Sequence, residues 1–185
     1  TAVDFAAPFV DEARARLQET PGAAIELVVG DMCASGIPAA SLDLVWSEGA
    51  AYAVGLPHAL SSWRDLLKDE GLLVFSECCW RTPEPGAEAR ALWERGYPVM
   101  GSIGATIDLV ERSGYRLLAV ETLESEHWWT SYFDPLRQRL DLLEPDADPG
   151  SVLAQVIRDA RQEQEVFRRA GDDYGYVFFV LEKRP

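Results

Sequence analysis

The sequence predicts an α/β protein built on a mostly parallel sheet, and two observations carry that prediction. Short apolar runs without polar alternation occur at Ile25 to Val29 (IELVV), Leu42 to Trp46 and Leu72 to Phe75. Strands of this kind suit a sheet covered on both faces. Between them lie stretches whose apolar residues recur at helical spacing. Strand and helix in alternation give a layered sheet with helices packed on it. The 185 residues are expected to form one domain over 1–185.

Taken in order, Thr1 to Asp4 reads as the end of a strand. Pro8 opens a helix with Phe9, Val10, Ala13 and Leu17 on one face, and Pro21-Gly22 closes it. The IELVV strand breaks at Gly30-Asp31. After the strand from Leu42, a helix carries Ala59, Leu60, Trp63, Leu66 and Leu67 and runs until Gly71, where the Leu72 strand begins. Pro83-Glu84-Pro85-Gly86 separates that strand from a short helix over Ala87 to Trp93. Ile103, Ile107 and Val110 mark another helix, ending before Gly114. Tyr115 to Leu123 and Tyr174 to Leu181 read as strands that pair with each other and give the sheet an antiparallel end. Between them lie an extended HWWTSYFDP segment, a helix from near Pro135, and a longer helix burying Val152, Val156, Ile157, Ala160 and Phe167.

Composition narrows the function. With 17 Lys+Arg against 31 Asp+Glu the net charge is −14, a field that repels nucleic acid and anionic membranes. No apolar run approaches the ~20 residues of a membrane-spanning helix. The three cysteines are odd in number and Cys78 and Cys79 are adjacent, which suits a reducing, cytoplasmic setting. Their spacing gives no zinc motif, so no metal is expected. His58, at a helix start, reads as a capping or surface residue. The Glu163-Gln-Glu165 stretch with Arg161, Arg168 and Arg169 reads as a solvated helix face.

Two blocks add a resemblance. DLVWSEGA at 43–50 and LLKDEGLLVFSE at 66–77 resemble the fourth and fifth strands of class I S-adenosylmethionine-dependent methyltransferases. WSEGAAYAVG at 46–55, SECCW at 76–80 and WWTSYFDP at 128–135 are similar to bacterial small-molecule methyltransferases described as ubiquinone-biosynthesis-like. The resemblance implies a Rossmann-like methyltransferase sheet with an antiparallel final strand, laid along the chain from the family's second strand onward. The family's first strand and glycine-rich loop have no counterpart here. On that reading residues 1–185 bind the cofactor weakly on their own, because the two strands flanking the missing one keep unpaired edges.

The implied activity is transfer of a methyl group from S-adenosylmethionine to a small-molecule acceptor, with a homodimer as the expected assembly. In open parallel sheets the ligand lies beyond the carboxyl ends of the strands. Asp4, with Phe5 beside it, then ends a strand where a carboxylate accepts from the ribose hydroxyls. Asp31 resembles the position that accepts the adenine amine, and Met32 packs on the ring. Ser47, Glu48 and Gly49 lie under the sulfonium, where the Glu48 carboxylate favours the cation. Tyr52, Trp80, Trp128 and Tyr132 are expected in the acceptor pocket, and Glu77 or His127 as a base, with Glu48 a further catalytic candidate. A strand-end Asp is also a common helix cap or turn former, which is the plain alternative for Asp4 and Asp31. The alternative for the whole chain is a non-catalytic α/β binding module. A nicotinamide-dependent reductase fits less well, since it too lacks its glycine fingerprint.

Overall fold

The computed structural model describes residues 1–19, 22 and 24–184. Along the chain run β1 (Ala2–Asp4), α1 (Ala7–Gln18), β2 (Leu27–Val29), β3 (Leu42–Glu48), α2 (Leu56–Leu66), β4 (Leu67–Trp80), α3 (Ala87–Gly96) and α4 (Ile103–Arg112). They are followed by β5 (Tyr115–Thr122), α5 (Ser125–Trp128), α6 (Asp134–Leu143), α7 (Val152–Ala170) and β6 (Tyr174–Lys183). Pro21, expected to help close α1, lies outside the described residues.

The strands form two sheets, β1-β2 and β3-β4-β6-β5. β1 and β2 are parallel, with Val3 opposite Val28. β3 and β4 are also parallel, with Trp46 opposite Val74. β6 runs antiparallel to both its neighbours, placing Phe179 opposite Phe75 on one side and Val120 on the other. The expected α/β sheet with an antiparallel final strand is therefore present. Among the described residues no strand stands between β1 and β3, and no glycine-rich loop follows one. The facing edges stay open, which leaves Leu44 and Trp46 of β3 exposed.

β4 is buried almost without alternation from Gly71 to Cys79 because helices cover both its faces. On one face Phe75 and Cys79 pack with Leu60 and Trp63 of α2 and Val110 of α4. Tyr115 spans this layer, its hydroxyl donating to the Leu60 carbonyl at 2.8 Å. On the other face Cys78 and Tyr174 meet Trp128, Phe133 and Phe167. Trp128 stacks on Phe167 at 4.8 Å and on Tyr176 at 5.1 Å.

Three expectations need correction. α2 stops at Leu66, five residues before Gly71, because Leu67 already pairs with Leu42 at the start of β4. The chain then turns through Glu70 at φ 62° and Gly71, where a Cβ would meet the Lys68 carbonyl at 2.9 Å. HWWTSYF is helical rather than extended: α5 passes into a π turn over Trp129–Phe133 and then into α6. Trp128 and Phe133 consequently share one buried side. In α7 the buried stripe is Ala154, Ile157, Gln164, Val166 and Phe167, while Val152 and Val156 face solvent. The aromatic layer of α5 and the π turn covers the C-terminal half of α7, so the stripe follows that layer.

Candidate functional site

The carboxyl ends of β1, β2 and β3 open on a cleft of about 940 Å³. Eight of the residues singled out in the sequence line it: Asp4, Phe5, Asp31, Met32, Ser47, Glu48, Gly49 and Tyr52. Their placement follows from the strand ends. Asp4 closes β1 and its Oδ1 accepts the Ala6 N–H at 2.7 Å. Asp31 follows β2 and its Oδ1 accepts the Cys33 N–H at 2.8 Å, an Asx turn that aims the loop across the cleft. Met32 is fixed through its carbonyl, which accepts the Trp63 indole N–H at 3.3 Å. Phe5, expected beside Asp4, lies 75% exposed at the mouth. The turn-forming reading of the two Asp residues is met on one carboxyl oxygen each, and both residues line the cleft.

At the end of β3, Glu48 Oε1 accepts the Trp46 indole N–H at 2.5 Å. Gly49 then turns at φ 55°, and its N–H donates to Ser76 Oγ at 3.0 Å, tying β3 to β4. A Cβ at Gly49 would sit 3.1 Å from the Tyr176 hydroxyl. Gly49→Ala is therefore expected to cost about 1–2 kcal/mol of stability, from the left-handed backbone and this contact together. Urea unfolding measures it, and a stability equal to wild type would show that Tyr176 yields freely.

Beyond Ser76 lies Glu77, 3% exposed and without a hydrogen-bond partner on either carboxyl oxygen. Burial pushes its pKa up to about 7; the Tyr97 hydroxyl and the Cys78 N–H, which face it, oppose that rise and do not cancel it. Tyr97 packs on the cleft residue Tyr52 at 5.6 Å between ring centres. Tyr176 bears on Glu77 from β6, while Tyr132, expected in the acceptor pocket, lines neither the cleft nor the smaller cavity beside Trp80 and lies near Glu163. Burial raises both hydroxyl pKa values, and Glu163 and Tyr52 push that of Tyr132 in the same direction.

The remaining sequence candidates lie elsewhere. Trp80 lines a separate cavity of about 300 Å³ with Pro83, Arg90, Trp93, Tyr97 and Ser102. Trp128 lines neither cavity and belongs to the aromatic core. His127 is exposed at the end of α5 and reaches neither cavity, because the segment is coiled and turns it outward. Cys78 and Cys79 point to opposite faces of β4, and burial lifts the Cys79 thiol to about 11. Two participants were missed. Tyr97 precedes Pro98 in a loop with no periodic signal, and Glu163 was read as solvated. In fact Glu163 is half-buried, with its pKa raised by burial, while Glu165 pairs with Arg168 at 2.6 Å on the outer face. The outward Arg residues beside Glu163 concealed this in the sequence.

Residues 1–75 match the family model described as a methyltransferase domain. The chain is also similar to a Thiobacillus denitrificans S-adenosylmethionine-dependent methyltransferase solved with S-adenosylhomocysteine. The TM-score is 0.73 at 18% identity, over 98% of this chain and 74% of that one. The fold is that of the class I methyltransferases. A Haemonchus contortus phosphoethanolamine N-methyltransferase 2, in complex with phosphomonomethylethanolamine and S-adenosylhomocysteine, gives TM-score 0.69 at 14% identity, over 99% of this chain and 43% of that one. The cyclase SpnF gives 0.75 at 13% identity, over 98% of this chain and 64% of that one. The chain thus spans less than two thirds of the length of these last two. No curated protein sequence matches it. Several neighbours of this fold are crystallised with S-adenosylmethionine or S-adenosylhomocysteine.

The cleft fits such a cofactor chemically. Among its described lining residues are the carboxylates of Asp4, Asp31 and Glu48 and no Lys, Arg or His, a setting that favours a sulfonium cation. The apolar lining of Val3, Met32, Val45 and Val54 suits an adenine ring.

Proposed function

We propose that the chain transfers a methyl group from S-adenosylmethionine to a small-molecule acceptor. The observation that carries the reading is the convergence of three strand ends, with Asp4, Asp31 and Glu48, on one cleft. In this reading Asp4 accepts from the ribose hydroxyls, with Phe5 flanking the sugar. Asp31 accepts from the adenine amine and Met32 packs on the ring. Ser47, Glu48 and Gly49 underlie the methyl-bearing sulfur, and Tyr52 and Tyr132 bound the acceptor. The cofactor supplies an activated methyl group and a good leaving group. The chain's own contribution is positioning, exclusion of water and removal of a proton from the acceptor. Glu77 is the base this reading selects, since His127 faces away from both cavities. The acidic charge and adjacent cysteines support a cytoplasmic setting and a small-molecule partner.

Calorimetric titration with S-adenosylhomocysteine tests the cofactor assignment. Asp31→Ala is expected to weaken binding about tenfold, equal to about 1.4 kcal/mol, through loss of a hydrogen bond to a charged acceptor. Asp31→Asn keeps a side-chain oxygen for the Cys33 turn and separates that structural effect from ligand binding. Absence of saturable binding would overturn the assignment. A second reading, a non-catalytic α/β binding module, draws on the open edges of β1 and β3 and predicts that outcome.

A further inference from the structure

We infer that the acceptor is an amine, received as its ammonium ion by Glu77 beside Tyr97. The inference rests on the proposed methyl-transfer reading and adds the chemical class of the acceptor. Glu77 is 97% buried, counting from its 3% exposure, and both its carboxyl oxygens lack a hydrogen-bond partner. An unsatisfied buried polar group costs about 1–3 kcal/mol, and more if charged, so such a group in a site is explained when a ligand completes it.

The chemistry of the missing partner follows from what surrounds the carboxyl. Tyr97 faces it from the loop after α3, Cys78 and Cys79 flank it along β4, and Tyr176 approaches from β6. None of these groups is a cation. Tyr97 lines the smaller cavity beside Trp80, and Tyr52, 47% exposed, packs on it from the cleft. Glu163 adds a half-buried carboxyl near Tyr132. An acceptor bearing a carboxylate would meet Glu77 with like charge and no counter-ion. A neutral alcohol offers one donor to two oxygens and is too weak an acid to yield its proton to a carboxylate. An ammonium group offers two or three donors to the carboxyl, and tyrosine faces stabilise it through cation–π attraction.

The step balances without a further reactant. The ammonium N–H passes its proton to a Glu77 carboxylate oxygen, leaving a neutral amine. The nitrogen lone pair then forms an N–C bond to the methyl carbon as the C–S bond breaks, and sulfur keeps the bonding pair. The product is the methylated ammonium ion with a neutral thioether, and Glu77 returns its proton to solvent as product leaves.

The test titrates the whole chain with benzylamine, benzyl alcohol and benzoate from pH 5.5 to 8.5. Benzylamine is expected to bind at least tenfold better than either of the others. Its affinity should fall about tenfold per pH unit below pH 7 and level off above it. Glu77→Gln is expected to weaken benzylamine at least tenfold at pH 8 and to abolish the pH dependence. Glu77→Asp, which keeps the charge, should retain the dependence at reduced affinity. A purely structural Glu77 would not move that profile in this residue-specific way. The inference is overturned if alcohol or benzoate binds as well as benzylamine, if Glu77→Gln keeps the wild-type profile, or if none of the probes binds. S-adenosylhomocysteine titrated in parallel reports on the cofactor wall separately. Its failure with amine binding intact would sink the methyl-transfer reading and leave the amine site standing.

Discussion

Above pH 7 the Glu77→Gln variant is expected to be more stable than the wild type, and below pH 4.5 the difference should have vanished or reversed. Burial raises the folded-state pKa of Glu77 from 4.5 to about 7. Between those values the folded state holds a proton that the unfolded state has lost, so the unfolding free energy falls as pH rises. The stability associated with the raised pKa is complete below 4.5 and is lost as pH climbs through 7. At about 1.4 kcal/mol per pH unit, the interval amounts to about 3 kcal/mol. Because Glu77 is 3% exposed, solvent screening offsets little of it. Glutamine has nearly the same shape and does not titrate. Subtracting its urea-unfolding curve from that of the wild type at each pH cancels the contributions of every other carboxylate. A difference that stays flat from pH 4 to 9 would show that Glu77 has an ordinary pKa. The expected outcome identifies the residue as one retained at a cost in stability, as functional groups often are.

The fold was legible where burial is uniform. Non-alternating apolar runs at Leu42 and Leu72 became adjacent parallel strands, and the paired strands after Tyr115 and Tyr174 were readable from their aromatic and β-branched content. The sequence was less clear where a tertiary partner decides the outcome. Leu66 and Leu67 both fit the helical spacing of α2, yet Leu67 ends the helix because β3 offers it a hydrogen-bonded edge. Val152 and Val156 are as apolar as Ile157, yet only Ile157 falls on the buried side of α7. A single-sequence pattern reports which positions are apolar, and the packing partner selects among them.

The cofactor side of the site was more legible than the acceptor side for a related reason. Strand ends are fixed by local sequence and all converge at one edge of a parallel sheet, so Asp4, Asp31 and Glu48 could be placed together from their positions alone. The acceptor side is assembled by loops and by a helix arriving from far along the chain. Tyr97 reaches Glu77 from the loop after α3, and Tyr132 and Glu163 come near each other only when the C-terminal helices fold back on β4. Nothing local in those segments announces that meeting. WW at 128–129 was the misleading signal: it read as extended pocket wall, but its helical turn places Trp128 in the core between Phe167 and Tyr176.

Phe179→Ala is expected to give the largest loss of stability among single substitutions in the sheet, about 3–5 kcal/mol. Phe179 is 0% exposed and stacks on Phe75 at 5.0 Å with ring planes 15° apart. It also occupies the one strand that is hydrogen-bonded on both sides within the antiparallel part of the sheet, between Phe75 of β4 and Val120 of β5. Truncation removes the ring's buried area and its stacking partner, and the surrounding Leu60, Trp63 and Val177 are held by backbone elements on three sides, so the void cannot close. For a chain of this size each kcal/mol moves the melting temperature by about 2–4 °C, giving a drop of roughly 6–20 °C. Val152→Ala supplies the contrast, because Val152 is 81% exposed and its loss should stay within about 0.5 kcal/mol. Thermal and urea unfolding of the two variants measure both. A loss below about 1 kcal/mol at Phe179 would mean that β6 is not the buried spine of the sheet. The Tyr176 and Glu77 geometry built on that strand would then lose its support.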